Sequence, residues 1–249
     1  MPQPTLESLR ESAVVHAPSA RARIAITGED RFTWLNGMTT CDLAKIGERG
    51  APRAAYGCVL NVKGKVLGDV IVVARDGDLA AFVPARSAPT ILELWNKYVI
   101  MEDVELAADD SRRLLSLQGG AAASIADRAG FTARAAPLDE LGLSGVVIDI
   151  EVGELDVAIA RLVDAGAQVL DDEAMHRLAI EAARPTFGAD LDEHNYVQEA
   201  GLEVRAVSFQ KGCYLGQEVV CMLQMRGKVH KRLMKLQIAS EGALPVVGA

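Results

Sequence analysis

An order of predicted elements that occurs twice along the chain constrains its fold most strongly. In the first half, a strand predicted at 23–26 ends in glycine, and a helix begins after Asp30. Several antiparallel strands follow, and a helix at 91–98 precedes a strand at 104–106. Because hairpins dominate over strand–helix–strand crossovers, the pattern predicts an α+β fold.

The second half repeats this order with its own elements. A strand predicted at 113–118 again ends in glycine and leads into an alanine-rich helix at 121–129. A strand at 146–150 and a helix at 155–163 come next, and a further amphipathic helix is predicted at 174–183. The repetition indicates an internal duplication, although the two halves share little sequence identity.

The clearest local signal in the chain is a hairpin. Asp76-Gly77 stands between the apolar segments 70–74 and 79–83, and this dipeptide between two strand-like runs favours a tight antiparallel turn.

Composition and charge exclude several classes of protein. The chain has 249 residues, of which 50% are apolar and 24% charged, so it can bury a sizeable core and is not intrinsically disordered. The formal net charge of −8 argues against a general nucleic-acid binder, which needs positive charge to displace counterions from phosphates. We therefore expect no direct nucleic-acid partner, and any RNA contact would have to be local.

Targeting segments and common catalytic motifs are not recognisable. The start Met1-Pro2-Gln3 lacks a basic, then apolar, signal, and the longest apolar runs fall far short of the roughly 20 residues of a membrane helix. Four cysteines without a signal favour a cytoplasmic location, and neither they nor the four histidines have zinc-ligand spacing, so no metal site is expected. Glycine-rich dinucleotide, P-loop and nucleophile-elbow motifs do not occur.

The densest unusual stretch spans residues 209–218. Glycines at 212 and 216 allow close backbone approach, and Lys211 near Cys213 would favour a thiolate. The alternative is a tight turn in which Cys213 is simply packed inside.

This stretch, Lys211-Gly212-Cys213-Tyr214-x-Gly216-Gln217-Glu218, resembles the signature of the YgfZ family, folate-binding proteins related to the glycine-cleavage T-protein, an aminomethyltransferase. The segments 34–43, 60–69, 177–193 and 198–202 are also similar to family motifs. The resemblance implies a folate-binding domain of two swapped α+β repeats over residues 1–225. Residues 226–249 would then begin a C-terminal β-barrel that is cut short.

The resemblance also implies ligand-binding residues. Glu181 matches the glutamate that holds the pterin in T-protein relatives, where a carboxylate can accept paired N–H donors. The alternative for Glu181 is a solvated helix residue. Other candidates for binding tetrahydrofolate, or a one-carbon derivative of it, are Asp190, Tyr214, Gln217, Glu218 and Arg226.

Some positions depart from the family pattern. T-proteins have an acidic pair near the reactive edge of folate, but Gly68-Asp69 supplies a single acid, which counts against aminomethyl transfer. Asp69 remains a catalytic candidate. The alternative is that Asp69 is a strand-edge residue that faces water and has no catalytic role. Met222 and Cys41 stand where relatives usually have Arg and Asn, which puts ligand affinity in doubt. The basic segment 226–233 would meet a folate tail, a partner or RNA, or protect a strand edge.

The family implies a function in iron–sulfur cluster assembly or repair, and thereby an indirect role in tRNA modification. Cys213, assisted by Lys211, would act as a redox group or transient cluster ligand, and the rest of the cluster would be held by an iron–sulfur enzyme or assembly factor. The alternatives are an aminomethyltransferase or related one-carbon enzyme and a non-catalytic folate-binding scaffold.

Overall fold

Two five-stranded sheets carry the predicted duplication. A computed structural model describes residues 3–44, 46, 53–75, 77–227 and 229–237. The first sheet is antiparallel throughout and comes entirely from the first half of the chain. Its strands lie in the order β3 (Ala54–Leu60), β4 (Val66–Ala74), β5 (Leu79–Pro84), β2 (Arg21–Thr27) and β6 (Glu105–Ala108).

The second sheet contains one strand from the start of the chain. Its order is β10 (Gln168–Leu170), β1 (Val14–His16), β7 (Arg112–Gln118), β9 (Gly145–Glu151) and β8 (Ala136–Pro137). Strand β1 pairs in parallel with β10 and antiparallel with β7. The amino-terminal segment is therefore exchanged into the sheet of the second repeat, as the swapped arrangement requires.

Helices cover the outer face of each sheet. The first sheet packs against α1 (Arg31–Met38) and α2 (Ala88–Lys97), and the second against α3 (Ala122–Arg128) and α4 (Leu155–Asp164). The chain continues through α5 (Asp172–Glu181), α6 (Glu203–Ala206) and α7 (Gln217–Arg226). The predicted helices therefore form within a few residues of their expected bounds, and the α+β class is confirmed.

Strand β4 shows why its sequence is a continuous apolar run. Val70 and Val72 belong to the buried cluster beneath α1 and α2, whereas Ile71 and Val73 belong to the cluster between the two sheets. Successive side chains of a strand point to opposite faces, so a strand that is covered on both faces needs apolar residues at every position. The result is a layered arrangement of helices, sheet, sheet and helices.

The predicted hairpin forms between β4 and β5. These strands pair antiparallel with Ala74 opposite Leu79. Gly77 lies in the turn with a φ of +100°, a conformation that glycine adopts without steric cost. Asp76, the other residue of the predicted signal, lies outside the described residues.

A buried ionic network joins the two repeats. Arg23 of β2 contacts Asp149 of β9, with Nη2 to Oδ2 at 3.2 Å, and Asp78 at 2.5 Å, and it also pairs with Asp109. Arg112 of β7 donates from Nε to the second oxygen of Asp149 at 2.9 Å. Because every charge in this network has a partner of opposite sign, the cost of burying the charges is offset by their mutual attraction.

The cysteines divide by environment. Cys58 and Cys41 are buried, Cys221 is half-buried and Cys213 is exposed, and all four are free thiols. Within the described ranges, no group of three or more His, Cys, Asp or Glu side chains could hold a metal ion. In the same part of the chain, no helix is long and apolar enough to cross a membrane.

The predicted barrel start at 226–249 is only partly described. Arg226 is the last residue of α7, and residues 227 and 229–237 form no strand. Residue 228 and residues 238–249 lie outside the described residues, so the boundary between the two predicted domains stays a prediction.

Candidate functional site

A cavity of about 310 Å³ lies where the two repeats meet. Strands of both sheets form its walls, and α5 with the segment 184–189 closes it. Its lining is rich in groups that can donate or accept hydrogen bonds, namely His16, Arg21, Tyr56, Asp69, Glu140, Asp172, His176, Arg184 and Arg205. We call it the central cavity.

Asp69, the catalytic candidate, is fixed in this cavity by Arg21. Both residues stand on strands of the first sheet, and Arg21 Nη2 lies 2.5 Å from Asp69 Oδ2. Arg21 also donates to the carbonyl oxygen of Phe82 at 3.3 Å. Burial opposes the charge of Arg21, but the neighbouring Asp69 carboxylate raises the pKa of the guanidinium above its usual value. Asp69 is therefore a buried, ion-paired acid and not a water-facing strand residue.

Tyr56 and Arg205 form a second wall of the central cavity. The Arg205 guanidinium stacks over the Tyr56 ring at 4.0 Å and donates from Nη2 to the Asp139 carbonyl oxygen at 2.6 Å. Burial, reinforced by the charge of Asp69, raises the pKa of Tyr56 well above its usual range. At neutral pH the phenol is thus protonated and can donate a hydrogen bond.

Glu140 contributes an acceptor from the second repeat. Ser116 Oγ donates to its carboxylate, and Gln118 Nε2 donates to Ser116 Oγ at 3.0 Å. The Glu140 backbone N–H returns a hydrogen bond to Gln118 Oε1 at 2.9 Å. This chain of bonds holds the Glu140 carboxylate at the cavity wall.

The first turn of α5 links the cavity to β1. His16 Nε2 lies 2.7 Å from Asp172 Oδ1, and Ser19 Oγ donates to the other carboxylate oxygen. Partial burial alone would raise the pKa of Asp172, but the bonds from Ser19 and His16 outweigh it and lower the pKa. Further along α5, His176 Nδ1 lies 3.2 Å from Thr186 Oγ1.

A sharp reversal after α5 brings Arg184 to the cavity. Ala183 has a φ of 51°, in the left-handed region that is unfavourable for alanine. Arg184 Nη2 lies 3.2 Å from Asp139 Oδ2, while its buried Nε has no hydrogen-bond partner among the described residues.

Residues 213–218 of the signature line a different depression, of about 430 Å³. It contains Cys213, Tyr214, Gln217 and Glu218, together with Gly37, Met38, Val62 and Tyr98 among others. We call it the signature groove. Among the described residues, none lines both this groove and the central cavity.

Lys211 ties the signature to the end of α1. Its ammonium donates to the carbonyl oxygens of Thr39 at 2.8 Å and Cys41 at 2.6 Å, and also to that of Asn36. Burial lowers the pKa of Lys211 from 10.5 to about 8. The ammonium has three donors and meets three carbonyls, so its clearest role is to hold the signature segment against α1.

Two sequence motifs meet at the glycines of the signature. Gly216 begins α7 with a φ of +82°, and a Cβ at this position would lie 2.7 Å from the Asn61 carbonyl oxygen. A Cβ on Gly64 would lie 2.8 Å from Val219 Cβ. The close approach predicted for the glycines therefore holds at Gly216, and its partner is the turn of the 60–69 motif.

The predicted ligand-binding residues do not come together in one place. Tyr214, Gln217 and Glu218 line the signature groove, whereas Asp190 accepts the Thr186 backbone N–H at 2.8 Å and shapes the segment that closes the central cavity. Glu181 is exposed, does not line the cavity, and accepts the backbone N–H of Leu6 at 3.1 Å. Its pterin contact stays a prediction. The side chain of Arg226 is outside the part of the chain described here.

Sequence reasoning missed most of the central cavity. No sequence motif points to Arg21, Tyr56 or Arg205, and none points to the polar residues that the second repeat contributes. One available signal was the pair Arg21 and Arg23, two charged side chains on the same face of a strand otherwise rich in apolar residues. Charges in such positions need buried partners, and those partners mark the interface between the repeats.

The duplicated arrangement defines the class of the fold, which is that of the glycine-cleavage T-protein. The structure resembles aminomethyltransferase T of the glycine cleavage system from Bartonella henselae, with a TM-score of 0.70 and 20% identity, over 87% of this chain and 64% of that one. The chain thus spans less than two thirds of that aminomethyltransferase.

Sequence comparison identifies the family. The chain is 30% identical over 241 residues to the tRNA-modifying protein YgfZ of Shigella boydii serotype 4, covering 91% of this chain and 72% of the relative. The protein of the same name from Escherichia coli strain K12 is 29% identical over the same shares. The chain therefore belongs to the YgfZ family. No protein-family model matches it.

Proposed function

We propose that this protein binds tetrahydrofolate, or a one-carbon derivative of it, in the central cavity. The observation that carries the proposal is the set of fixed donors and acceptors where the two repeats meet, with Asp69 held by Arg21. At about 310 Å³, the cavity is near the lower end of the range of about 300–1,000 Å³ for ligand pockets. That volume suits a pterin ring whose aminobenzoyl-glutamate portion extends outward.

The chemistry of the lining suits a pterin as well. A pterin presents ring N–H and amino donors beside a carbonyl acceptor, which match the carboxylates of Asp69 and Glu140 and the hydroxyl donor of Tyr56. Tyr56, with Arg205 stacked on one face, offers an aromatic ring at the cavity wall. When bound, the folate would supply a carrier for one-carbon units.

The lack of an acid at Gly68 does not by itself count against aminomethyl transfer in the central cavity. A Cβ at this position would lie 3.0 Å from Pro84 Cδ and 3.3 Å from Ile91 Cδ1. It would therefore point toward the packed α2 side of the sheet and away from the central cavity, because neighbouring strand residues face opposite ways. Replacing Gly68 by an acid would not restore a pair of carboxylates next to Asp69.

The second part of the proposal concerns Cys213. Its exposed thiol lines the signature groove and would act as a redox group or as one ligand of an iron–sulfur cluster that a partner protein largely holds. Support of iron–sulfur enzymes would connect the protein indirectly to tRNA modification, the activity in the name of its relatives. The net charge of −8 favours this indirect connection over direct RNA binding.

Calorimetric titration of the full chain with tetrahydrofolate tests the binding site. Asp69→Asn and Tyr56→Phe each remove one polar contact, so we expect each to weaken binding by about tenfold. Glu93→Gln is the matched control, because Glu93 is exposed on α2 and its ion pair is with Lys97, one turn further along the same helix. Thermal melts confirm that each variant is folded. Absence of binding heat with the native chain, or equal affinity in all variants, overturns the proposal.

A further inference from the structure

The signature groove continues along α1 into a neighbouring depression. This second depression, of about 460 Å³, is lined by Asp30, Thr33, Trp34, Met101 and Glu102. It shares Gly37, Met38 and Tyr98 with the signature groove. Together they form one open channel that runs from the start of α1 to Cys213, and we call it the α1 channel.

The α1 channel has an apolar middle and apolar rims. Met38 and Tyr98 line both of its parts. At its two ends, Met101 is 93% exposed and Val62 is 62% exposed, and Ile100 next to Met101 is 80% exposed. Exposed apolar side chains that surround a concave surface are typical of sites that bind another polypeptide.

The charged side chains that line the α1 channel indicate which kind of polypeptide it would bind. Asp30 and Glu102 line its far end, with Glu29 and Asp103 next to them in sequence, and Glu218 lines the end near Cys213. Arg31, which follows Asp30, donates to the Gly28 carbonyl oxygen at 2.5 Å and does not line the channel. Among the described residues no Lys or Arg lines the channel. Lys211 lies close to the signature, but its ammonium is bound by three carbonyls. The channel therefore complements a segment with an apolar centre and a basic end.

We propose that the α1 channel binds an extended segment of a partner protein, in which a cysteine faces Cys213 and a Lys or Arg faces Asp30 and Glu102. A Cβ on Gly37 would lie 4.0 Å from the Cys213 carbonyl oxygen, which fixes Gly37 beside the thiol-bearing residue. From Asp30 to Gly37 the helical rise is about 10 Å, and an extended chain covers this length in about three residues. The partner motif is thus a cysteine followed or preceded by a basic residue three positions away.

This inference rests on the proposed thiol role of Cys213 and is independent of folate binding. It gives the acidic residues around α1 a function in choosing the partner, since opposite charges speed encounter and fix the register of a bound segment. The partner's cysteine would be a free thiol or a cluster ligand that lies opposite Cys213.

Peptide capture by the full chain tests the proposal. Two peptides of sequence Cys-Leu-Ala-Lys and Cys-Leu-Ala-Glu, with blocked ends, carry 5-thio-2-nitrobenzoate in disulfide linkage to their cysteine. The Cys213 thiolate attacks the peptide sulfur, a protein–peptide disulfide forms, and the coloured thiolate leaves, so the rate is read from absorbance. The Cys213→Ser variant measures any reaction at the half-buried Cys221.

We expect the lysine peptide to react about three- to fivefold faster than the glutamate peptide at low salt. The difference should disappear in 1 M salt, where screening acts over about 3 Å. It should also disappear in the double variant Asp30→Asn, Glu102→Gln, which keeps oxygen acceptors for the local backbone bonds. Glu173→Gln, on the exposed side of α5, is the matched control and should keep the preference.

Two results overturn the inference. Equal rates, or a faster glutamate peptide, would show that the channel does not select a basic segment, while the reactivity of Cys213 and its proposed role would stand. No reaction of the native chain above the Cys213→Ser background would show that a peptide cysteine cannot reach Cys213 at all. Neither result bears on the calorimetric test of folate binding.

Discussion

The central cavity and the signature groove differ in how they are built. The cavity draws its lining from both repeats, and its charged groups are largely paired with one another, as Arg21 is with Asp69 and His16 with Asp172. The groove is formed by the signature and neighbouring parts of the first half, and it carries one exposed thiol. One region is suited to hold a polar ligand in a fixed geometry, and the other to meet a second protein.

Because the two sites are built separately, the proposed folate binding and the proposed thiol role of Cys213 should be separable by mutation. No residue in the described part of the chain belongs to both linings. Changes in the groove should leave ligand binding intact, and changes in the cavity should leave the thiol accessible.

The largest effect on function is expected for Cys213→Ser. We expect loss of support for iron–sulfur enzymes in cells that depend on this protein, because oxygen cannot replace the thiol in redox chemistry or cluster ligation. An exposed substitution of this size changes stability by no more than about 0.5 kcal/mol, so the melting temperature and tetrahydrofolate affinity should be unchanged. A fully active variant would remove the thiol role.

Breaking the ion pair of the central cavity should have the largest effect on stability. Asp69→Leu leaves Arg21 buried without its partner, and we expect the free energy of unfolding to fall by about 3–5 kcal/mol in urea titrations. The double variant Arg21→Met, Asp69→Leu removes both charges and should recover most of this loss. Absence of recovery would mean that lost packing, not an unpaired charge, explains the loss of stability. The reactivity of Cys213, which should be unchanged in these variants, is the control for the signature groove.

Lys211→Met should have an intermediate effect, confined to the groove. The variant loses three bonds from an ammonium to backbone carbonyls but also avoids the burial cost that lowers the pKa of Lys211, so we expect the free energy of unfolding to fall by about 1 kcal/mol at pH 7. Lys211→Arg should restore part of the loss. Unchanged stability would show that the three carbonyls are equally well bound by water.

The difference in the free energy of unfolding between the native and Lys211→Met chains should also depend on pH. The pKa of Lys211 is about 8 in the folded chain against 10.5 for an unperturbed lysine, so the unfolded chain binds more protons between these values. The contribution of this group to the free energy of unfolding therefore rises with pH across that window. The gap in the free energy of unfolding between the native and Lys211→Met chains should therefore widen from pH 7 to pH 10, and parallel curves would contradict this.

The smallest effect is expected for Glu181→Gln. The Glu181 carboxylate accepts the Leu6 backbone N–H outside the central cavity, and a glutamine oxygen can accept the same bond. From this geometry we expect tetrahydrofolate affinity to change by less than about twofold, because no ligand contact is removed. A loss of tenfold or more in calorimetry would instead support the pterin contact that the family resemblance implies.

Regular elements were predictable because their signals are local. The continuous apolar run of β4 and the glycine at the turn before β5 depend on neighbours within a few positions. The signature groove could also be anticipated from the sequence, because the chemical groups that the signature contributes to it lie next to one another at 213–218. Family resemblance then supplied the swapped arrangement, which pattern alone indicated only as a duplication.

The central cavity was not predictable in the same way. Arg21 and Tyr56 stand on strands β2 and β3 of the first sheet and Arg205 on α6, so the cavity exists only once segments far apart in sequence have packed together. Adjacency in sequence was even misleading for Lys211, since it suggested contact with Cys213 while the ammonium is directed at the carbonyls after α1. Residues at adjacent helix positions differ by about 100° in direction, which is why the orientation of Glu181 could not be read from its neighbours.

The exchanged strand β1 has a consequence for synthesis on the ribosome. All five strands of the first sheet come from the continuous stretch between Arg21 and Ala108, so this sheet can close while later residues are still being translated. Val14–His16, made earlier still, has no partners until β7 and β10 have emerged. The nascent chain must therefore keep its beginning unpaired until its second half exists, and a bulky amino-terminal fusion should slow the maturation of the distant half first.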